Sequence, residues 1–102
     1  MVLAKDSTRI DALIFRATAL RFINKLAEAE IAIMSALALD QNNPDGLLER
    51  GIVRRLTGDK KGARRDWLKI LEIAPEYTAA ETARRNLEAM DFNTNDNPKS
   101  SK

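Results

Sequence analysis

Two residue types that carry much of protein chemistry are missing from this chain of 102 residues, which contains neither cysteine nor histidine. Without cysteine no disulfide can form. Without either residue, the usual zinc ligands and the usual general base at neutral pH are absent. Serine and threonine therefore have no histidine to activate them as nucleophiles. The composition predicts a protein that is not an enzyme, with no metal and no cofactor.

Long apolar runs are missing as well. No segment approaches the ~18 consecutive apolar residues of a membrane span, and residues 1–5 are too short for the apolar core of a signal peptide. The cytoplasm is then the default compartment. The net charge of +2 is too small to imply a nucleic-acid partner by itself. A chain of this length is expected to form one small domain.

The chain does contain an internal repeat of 34 residues. The stretch Gly51–Pro75 predicts one helical hairpin, and a fainter copy of it precedes it. The identical pairs are Asp11 and Asp45, Leu13 and Leu47, Arg16 and Arg50, Arg21 and Arg55, Ala29 and Ala63, Leu37 and Leu71. A fixed period in this range is typical of stacked helical repeats.

Apolar spacing and capping residues predict an all-α fold of five helices. The first repeat covers about residues 10–43, the second about 44–77, and a closing helix about 78–90. Residues 1–7 are expected to be a flexible leader and residues 91–102 a disordered polar tail. The predicted helices span about Thr8–Phe22, Leu26–Leu39, 44–57, Lys60–Ile73 and Thr78–Met90.

The second copy resembles a tetratricopeptide repeat. The residues that carry this resemblance are Gly51, the turn Gly58–Asp59, Ala63, Trp67, the run Ile70–Ile73 and Pro75. The first copy keeps Ala17, Leu20 and Ala29 but has Asn24 in place of the turn glycine and Gln41 in place of the closing proline. The resemblance covers about residues 10–90. It implies a short right-handed α-solenoid that serves as a scaffold for protein–protein contact.

In proteins of this family the first helix of each hairpin lines a concave groove. The concave groove expected here consists of Asp11, Ile14, Thr18, Arg21, Asp45, Leu48, Ile52, Arg55 and Asn86. Arg21 and Arg55 would pair with an acidic side chain or C-terminal carboxylate of a bound peptide, or else simply solvate the surface. Ile14, Thr18 and Glu49 stand where one subclass of the family has a clamp for acidic chaperone tails, which argues against that partner.

The two ends of the predicted stack differ. Helix five has an apolar stripe (Ala80, Ala83, Leu87, Met90) on one side only and resembles a polar-faced terminal cap. The first helix carries a further apolar stripe with no earlier repeat to cover. This helix-one face consists of Ala12, Phe15, Ala19, Phe22 and Ile23. Three explanations remain open: a longer repeat array, a homodimer through helix one, or Val2 and Leu3 folding back over the face.

The sequence also contains two groups of charged residues: a predicted ion pair and a basic cluster. Arg50 and Asp66 are equidistant from the turn at Gly58, so a structural ion pair is expected between them. A basic cluster around this turn could meet an anionic partner; its members are Arg54, Arg55, Lys60, Lys61, Arg64 and Arg65. No aromatic residues are interleaved for base stacking, which argues against nucleic acid.

The sequence therefore predicts a non-catalytic module that binds a peptide or protein segment in the concave groove. The first alternative is an assembly subunit that self-associates or docks through the helix-one face. The second is an electrostatic binder that uses the basic cluster.

Overall fold

The computed structural model describes residues 6–95, which form five α-helices and no strand. The helices are α1 (Ser7–Phe22), α2 (Leu26–Leu39), α3 (Pro44–Leu56), α4 (Lys60–Ile73) and α5 (Thr78–Asn95). This confirms the predicted all-α fold. The bounds of α2 and α4 agree with the prediction, and those of α1 and α3 differ by one residue, which is within the usual ambiguity of helix ends.

Local sequence explains where the helices begin and turn. The side chains of Asp6, Asn43 and Asp59 each accept a hydrogen bond from the backbone N–H three residues later, and so cap α1, α3 and α4. The two hairpin turns pass through positive φ, at 64° in Asn24 and 99° in Gly58. Asparagine tolerates this conformation better than most side chains, so the first turn forms without glycine.

The helices pack as two hairpins, α1 with α2 and α3 with α4, closed by α5 against α4 and α3. The helices α1, α3 and α5 form one layer, because α3 contacts both of the others. By contrast, no backbone contact joins α2 to α4 within the described residues. The central helix α3 is therefore the only described helix that contacts all four of the others.

The main core runs through both hairpins and α5. Its largest fully buried side chains include Trp67, Ile33, Ile70 and Met90. Trp67 donates a hydrogen bond from Nε1 to the carbonyl of Leu48 at 3.3 Å. A Cβ added to Gly51 would lie 2.3 Å from this Nε1 atom, so glycine is required for the close approach of α3 and α4.

A smaller cluster of Ile10, Ile14 and Ala36 joins the beginning of α1 to the end of α2. The helix-five stripe (Ala80, Ala83, Leu87 and Met90) is buried, and its opposite residues Glu81, Arg85 and Glu88 are exposed. Over the predicted span of the helix the outer side is polar, but further along α5 the same side also holds Phe92, which is 65% exposed.

The predicted end of the last helix is wrong. α5 continues past Met90 to Asn95, so residues 91–95 belong to a helix instead of the predicted disordered tail. Asp91 in this extension forms an ion pair with Arg64 of α4, a contact between residues too far apart for local patterning to reveal. The predicted leader is shortened in the same way, because α1 already begins at Ser7. Val2 and Leu3, proposed as a cover for the helix-one face, lie outside the described residues.

Candidate functional site

The helix-one face is the largest exposed apolar feature of α1. Phe15 is 72% exposed, Phe22 75% and Ile23 63%. Ala12 and Ala19, which lie between them, are exposed as well. At 100° per residue the five positions fall within an arc of about 100° on one side of the helix. The face is a continuous apolar strip that no described residue covers.

The repeat register shows what this strip corresponds to elsewhere. Positions 12, 15 and 19 of α1 correspond to Gly46, Glu49 and Val53 of α3, and to Ala80, Ala83 and Leu87 of α5. All six of these residues are buried. Only in α1 does this side of the helix face solvent, because there it has no described hairpin in front of it. Positions 12, 15 and 19 of the helix-one face thus belong to the repeat-to-repeat packing surface of the first hairpin, whereas Phe22 and Ile23 correspond to Leu56 and Thr57, which are exposed as well.

Part of the predicted concave groove forms a real cavity between α1 and α3. It has a volume of about 430 Å³. Five predicted groove residues line it, together with Phe15 and Glu49; they are Asp11, Ile14, Thr18, Asp45 and Leu48. The remaining predicted residues Arg21, Ile52, Arg55 and Asn86 do not line this cavity. Ile14 is buried at its floor, while Leu48 is half-buried.

Two exposed carboxylates, those of Asp11 and Asp45, line this cavity. Desolvation by burial is the main cause that raises the pKa of Asp45 above its ordinary value. The negative charge of Asp11 raises this pKa further. A raised folded pKa means that ionising Asp45 opposes folding, so its contribution to stability falls as the pH rises through the range just above the ordinary aspartate pKa. The two carboxylates would therefore favour a cationic group of a ligand over an anionic one.

The role of Glu49 was missed by sequence reasoning. Glu49 is 6% exposed, and its carboxylate forms an ion pair with Arg21. It also accepts a hydrogen bond from the Thr18 hydroxyl at 2.9 Å. Glu49 lies at a register position occupied by Phe15 and Ala83 in the other repeats, and a carboxylate in an otherwise apolar series could have signalled a buried partner.

This pairing changes what can be expected of Arg21. Its guanidinium is bonded to Glu49 and lies 4.9 Å from the ring centroid of Phe22, between the cavity and the helix-one face. Binding an acidic ligand through Arg21 stays a prediction, and it now requires Arg21 to leave a partner that is almost fully buried.

The predicted pair of Arg50 and Asp66 is present as a bidentate contact. Arg50 donates from Nε and Nη2 to the two carboxylate oxygens at 3.0 and 2.8 Å. Arg54, one turn further along α3, donates a third hydrogen bond to Asp66 at 3.1 Å. Arg54 belongs to the basic cluster, and this hydrogen bond pairs its guanidinium with a buried carboxylate of the hairpin. Arg64, another member, pairs with Asp91, so two of the six cluster residues serve the fold.

A second cavity, which the sequence did not predict, lies between α2 and α4, whose described residues make no backbone contact with each other, and is also lined by α3. Its volume is about 740 Å³. Leu37 and Leu47 lie at its base and are buried, while Met34 and Leu68 form its walls and are about half exposed. We call it the α2–α4 cleft.

Searches for related proteins give no identification. No model of a known protein family matches the chain, and no curated protein matches it either. Among the described residues no helix has the length and apolar character needed to cross a membrane. The same residues contain no group of three or more aspartates or glutamates placed to hold a metal ion.

Proposed function

We propose that this protein is a non-catalytic protein–protein interaction module of the tetratricopeptide-repeat type, and that the helix-one face is its working surface. One observation carries the proposal: positions 12, 15 and 19 of α1 are exposed where their equivalents in α3 and α5 are buried, and Phe15, Phe22 and Ile23 of the same face are each more than 60% exposed. Single exposed apolar residues are ordinary, whereas a contiguous apolar patch of this kind is typical of an interaction site.

The energetics favour an occupant. Covering the large side chains of this face would gain several kcal/mol at the usual ~25 cal/mol per Å² of apolar surface. The alanines at positions 12 and 19 leave room for the backbone of a partner helix to approach closely between the larger side chains. Since the equivalent positions of α3 and α5 receive helices, the partner surface is expected to be helical too.

The family assignment within this proposal rests on the two hairpins. Both turn at equivalent positions, Asn24 and Gly58, through positive φ. The second hairpin also places Trp67 against Gly51, where the family has its close helix contact. The lack of histidine and cysteine in the sequence supports a non-catalytic role.

Site-specific photocross-linking tests the working surface. A benzophenone amino acid replaces Phe15 on the helix-one face, and the same residue replaces Leu56 as the control. Leu56 is 54% exposed, so both positions are accessible to solvent. After irradiation in the cells that make the protein, we expect a discrete cross-linked protein species from position 15 and none from position 56. Equal cross-linking at both positions, or none at position 15, would contradict the proposal.

The concave groove is a second candidate site, favoured by the 430 Å³ cavity that five of its predicted residues share. The acidic pair Asp11 and Asp45 would select a segment with a lysine or arginine, which reverses the charge expected from Arg21 and Arg55. Because Phe15 lines this cavity as well, a cross-linker at Leu48 is compared with one at Phe22, a residue of the helix-one face that does not line it. A ligand captured from Leu48 but not from position 22 would make the groove, instead of the helix-one face, the working surface.

A further inference from the structure

The α2–α4 cleft has walls of different character. The α2 wall contributes Met34 and Ala38 and no ionisable side chain. The α4 wall contributes Leu68 together with Arg65 and Lys69, which are exposed and one helical turn apart. Met34 and Leu68 occupy the same register position one repeat apart, and they are 47% and 49% exposed. The cleft is thus apolar on one side and cationic on the other.

The carboxylates of the cleft leave the α4 wall with a net positive charge. Asp66 is 3% exposed and accepts hydrogen bonds from both Arg50 and Arg54, so its charge is compensated within the hairpin. Glu72 is exposed and lies one helical turn beyond Lys69. The α4 wall therefore presents two exposed cations, Arg65 and Lys69, against one exposed carboxylate.

We propose that the α2–α4 cleft is a docking site for an acidic amphipathic helix of a protein partner. Its apolar side chains pack between Met34 and Leu68, and its carboxylates pair with Arg65 and Lys69. This site is separate from the helix-one face, and neither proposal depends on the other.

The geometry of the cleft fits a helix of this chemistry. From Arg65 to Glu72 the wall extends roughly 10 Å along α4, or two helical turns. A helix laid beside it presents side chains at i and i+4 on one face, which matches the one-turn spacing of Arg65 and Lys69. Methionine adapts its shape to different apolar partners, and Met34 lies where the partner's apolar face would rest. Rim charges of this kind chiefly steer association and fix orientation.

A pair of designed peptides tests the proposal on the full-length protein. The first is a labelled peptide of about 18 residues, long enough to form a helix, with leucines on one face and glutamates beside them. The second has lysine at every glutamate position. Fluorescence anisotropy should show binding of the acidic peptide at least about tenfold tighter than that of the lysine peptide, and high salt should weaken it.

Matched variants locate the bound peptide. Leu68→Glu should weaken binding of the acidic peptide by about tenfold or more, since it places a charge in the apolar contact. Leu56→Glu makes the same change at a residue of similar exposure outside the cleft, and should leave binding unchanged. The double variant Arg65→Glu/Lys69→Glu should reverse the preference toward the lysine peptide, whereas Lys60→Glu/Lys61→Glu should not. Circular dichroism confirms that each variant folds.

Three results would overturn the proposal. The first is absence of binding to the wild-type protein, and the second is equal binding of the acidic and lysine peptides. The third is loss of binding in Phe22→Glu, on the helix-one face and outside the groove cavity, but not in Leu68→Glu. That third result would place the peptide on the helix-one face, so the cleft proposal would fail while the proposed function would stand.

Discussion

At the scale of single residues, three carboxylates in the described part of the chain form ion pairs with arginines of other helices. Arg21 joins Glu49, Arg50 joins Asp66 and Arg64 joins Asp91. The pairs differ in exposure, because the carboxylates of Glu49 and Asp66 are buried and that of Asp91 is about half exposed. Exposed ion pairs contribute little to stability, whereas removing one partner of a buried pair is costly. Burial therefore predicts which of these contacts hold the fold.

The buried pair gives the first prediction. Asp66→Asn keeps the shape of the side chain but removes the charge that compensates Arg50 and Arg54. We expect the free energy of unfolding to fall by about 2–4 kcal/mol, measured by urea denaturation followed by circular dichroism. Asp91→Asn is the matched control and should leave the urea midpoint nearly unchanged. Similar midpoints for the two variants would show that the contact with Arg50 and Arg54 is not structural.

At the scale of helices, one register position holds a different residue, in a different environment, in each of α1, α3 and α5. Position 15 holds an exposed phenylalanine in α1, position 49 a buried glutamate with two polar partners in α3, and position 83 a buried alanine in α5. The helix stripe alone does not decide whether such a position is buried. What decides it is whether another hairpin packs in front of the helix.

This dependence on the neighbouring hairpin gives the second prediction. Ala12 and Ala80 are equivalent alanines in α1 and α5, but Ala12 is exposed and Ala80 is 0% exposed. Ala12→Glu should change the free energy of unfolding of the dilute protein by less than about 0.5 kcal/mol. Ala80→Glu buries an unpaired charge and should cost about 3–5 kcal/mol. Urea denaturation of the two variants compares them directly, and comparable losses would mean that the helix-one face is not open.

The local features of these elements could be predicted from the sequence. Asn43 and Asp59 as caps, and Asn24 and Gly58 as turn residues, act within a few positions of themselves, so their spacing identifies them. The extension of α5 escaped prediction because residues 91–95 are mostly polar, and the contact of Asp91 with Arg64 joins two helices. The α2–α4 cleft escaped because its volume depends on how far apart two helices pack. Met34 and Leu68 do occur at the repeat spacing in the sequence. This spacing indicates a shared cleft only when it is known that both residues lie on the sides of α2 and α4 that face each other.

At the scale of the whole molecule, the stack is closed at one end and open at the other. The outer side of α5 carries Glu81, Arg85 and Glu88 and, one turn beyond them, the exposed Phe92, while the outer side of α1 carries Phe15 and Phe22. A side that is charged over most of its length complements an apolar strip less well than a second apolar strip does. A second copy is therefore expected to pack its own helix-one face against the first in a closed, two-fold arrangement.

The asymmetry of the stack gives the last prediction, which concerns amide hydrogen exchange. Stability in stacked repeats is largely a sum of contacts between neighbours, and α3 contacts all four other helices. In dilute protein the amides of α3 should exchange most slowly, and those in the first turns of α1 and the last turn of α5 much faster. Exchange followed by NMR at two protein concentrations separates the possibilities. If the amides of α1 exchange as slowly as those of α3 at high protein concentration but not at low concentration, a second copy covers the helix-one face. Equal protection at both concentrations would contradict an open end, because it requires α1 to be covered within a single chain.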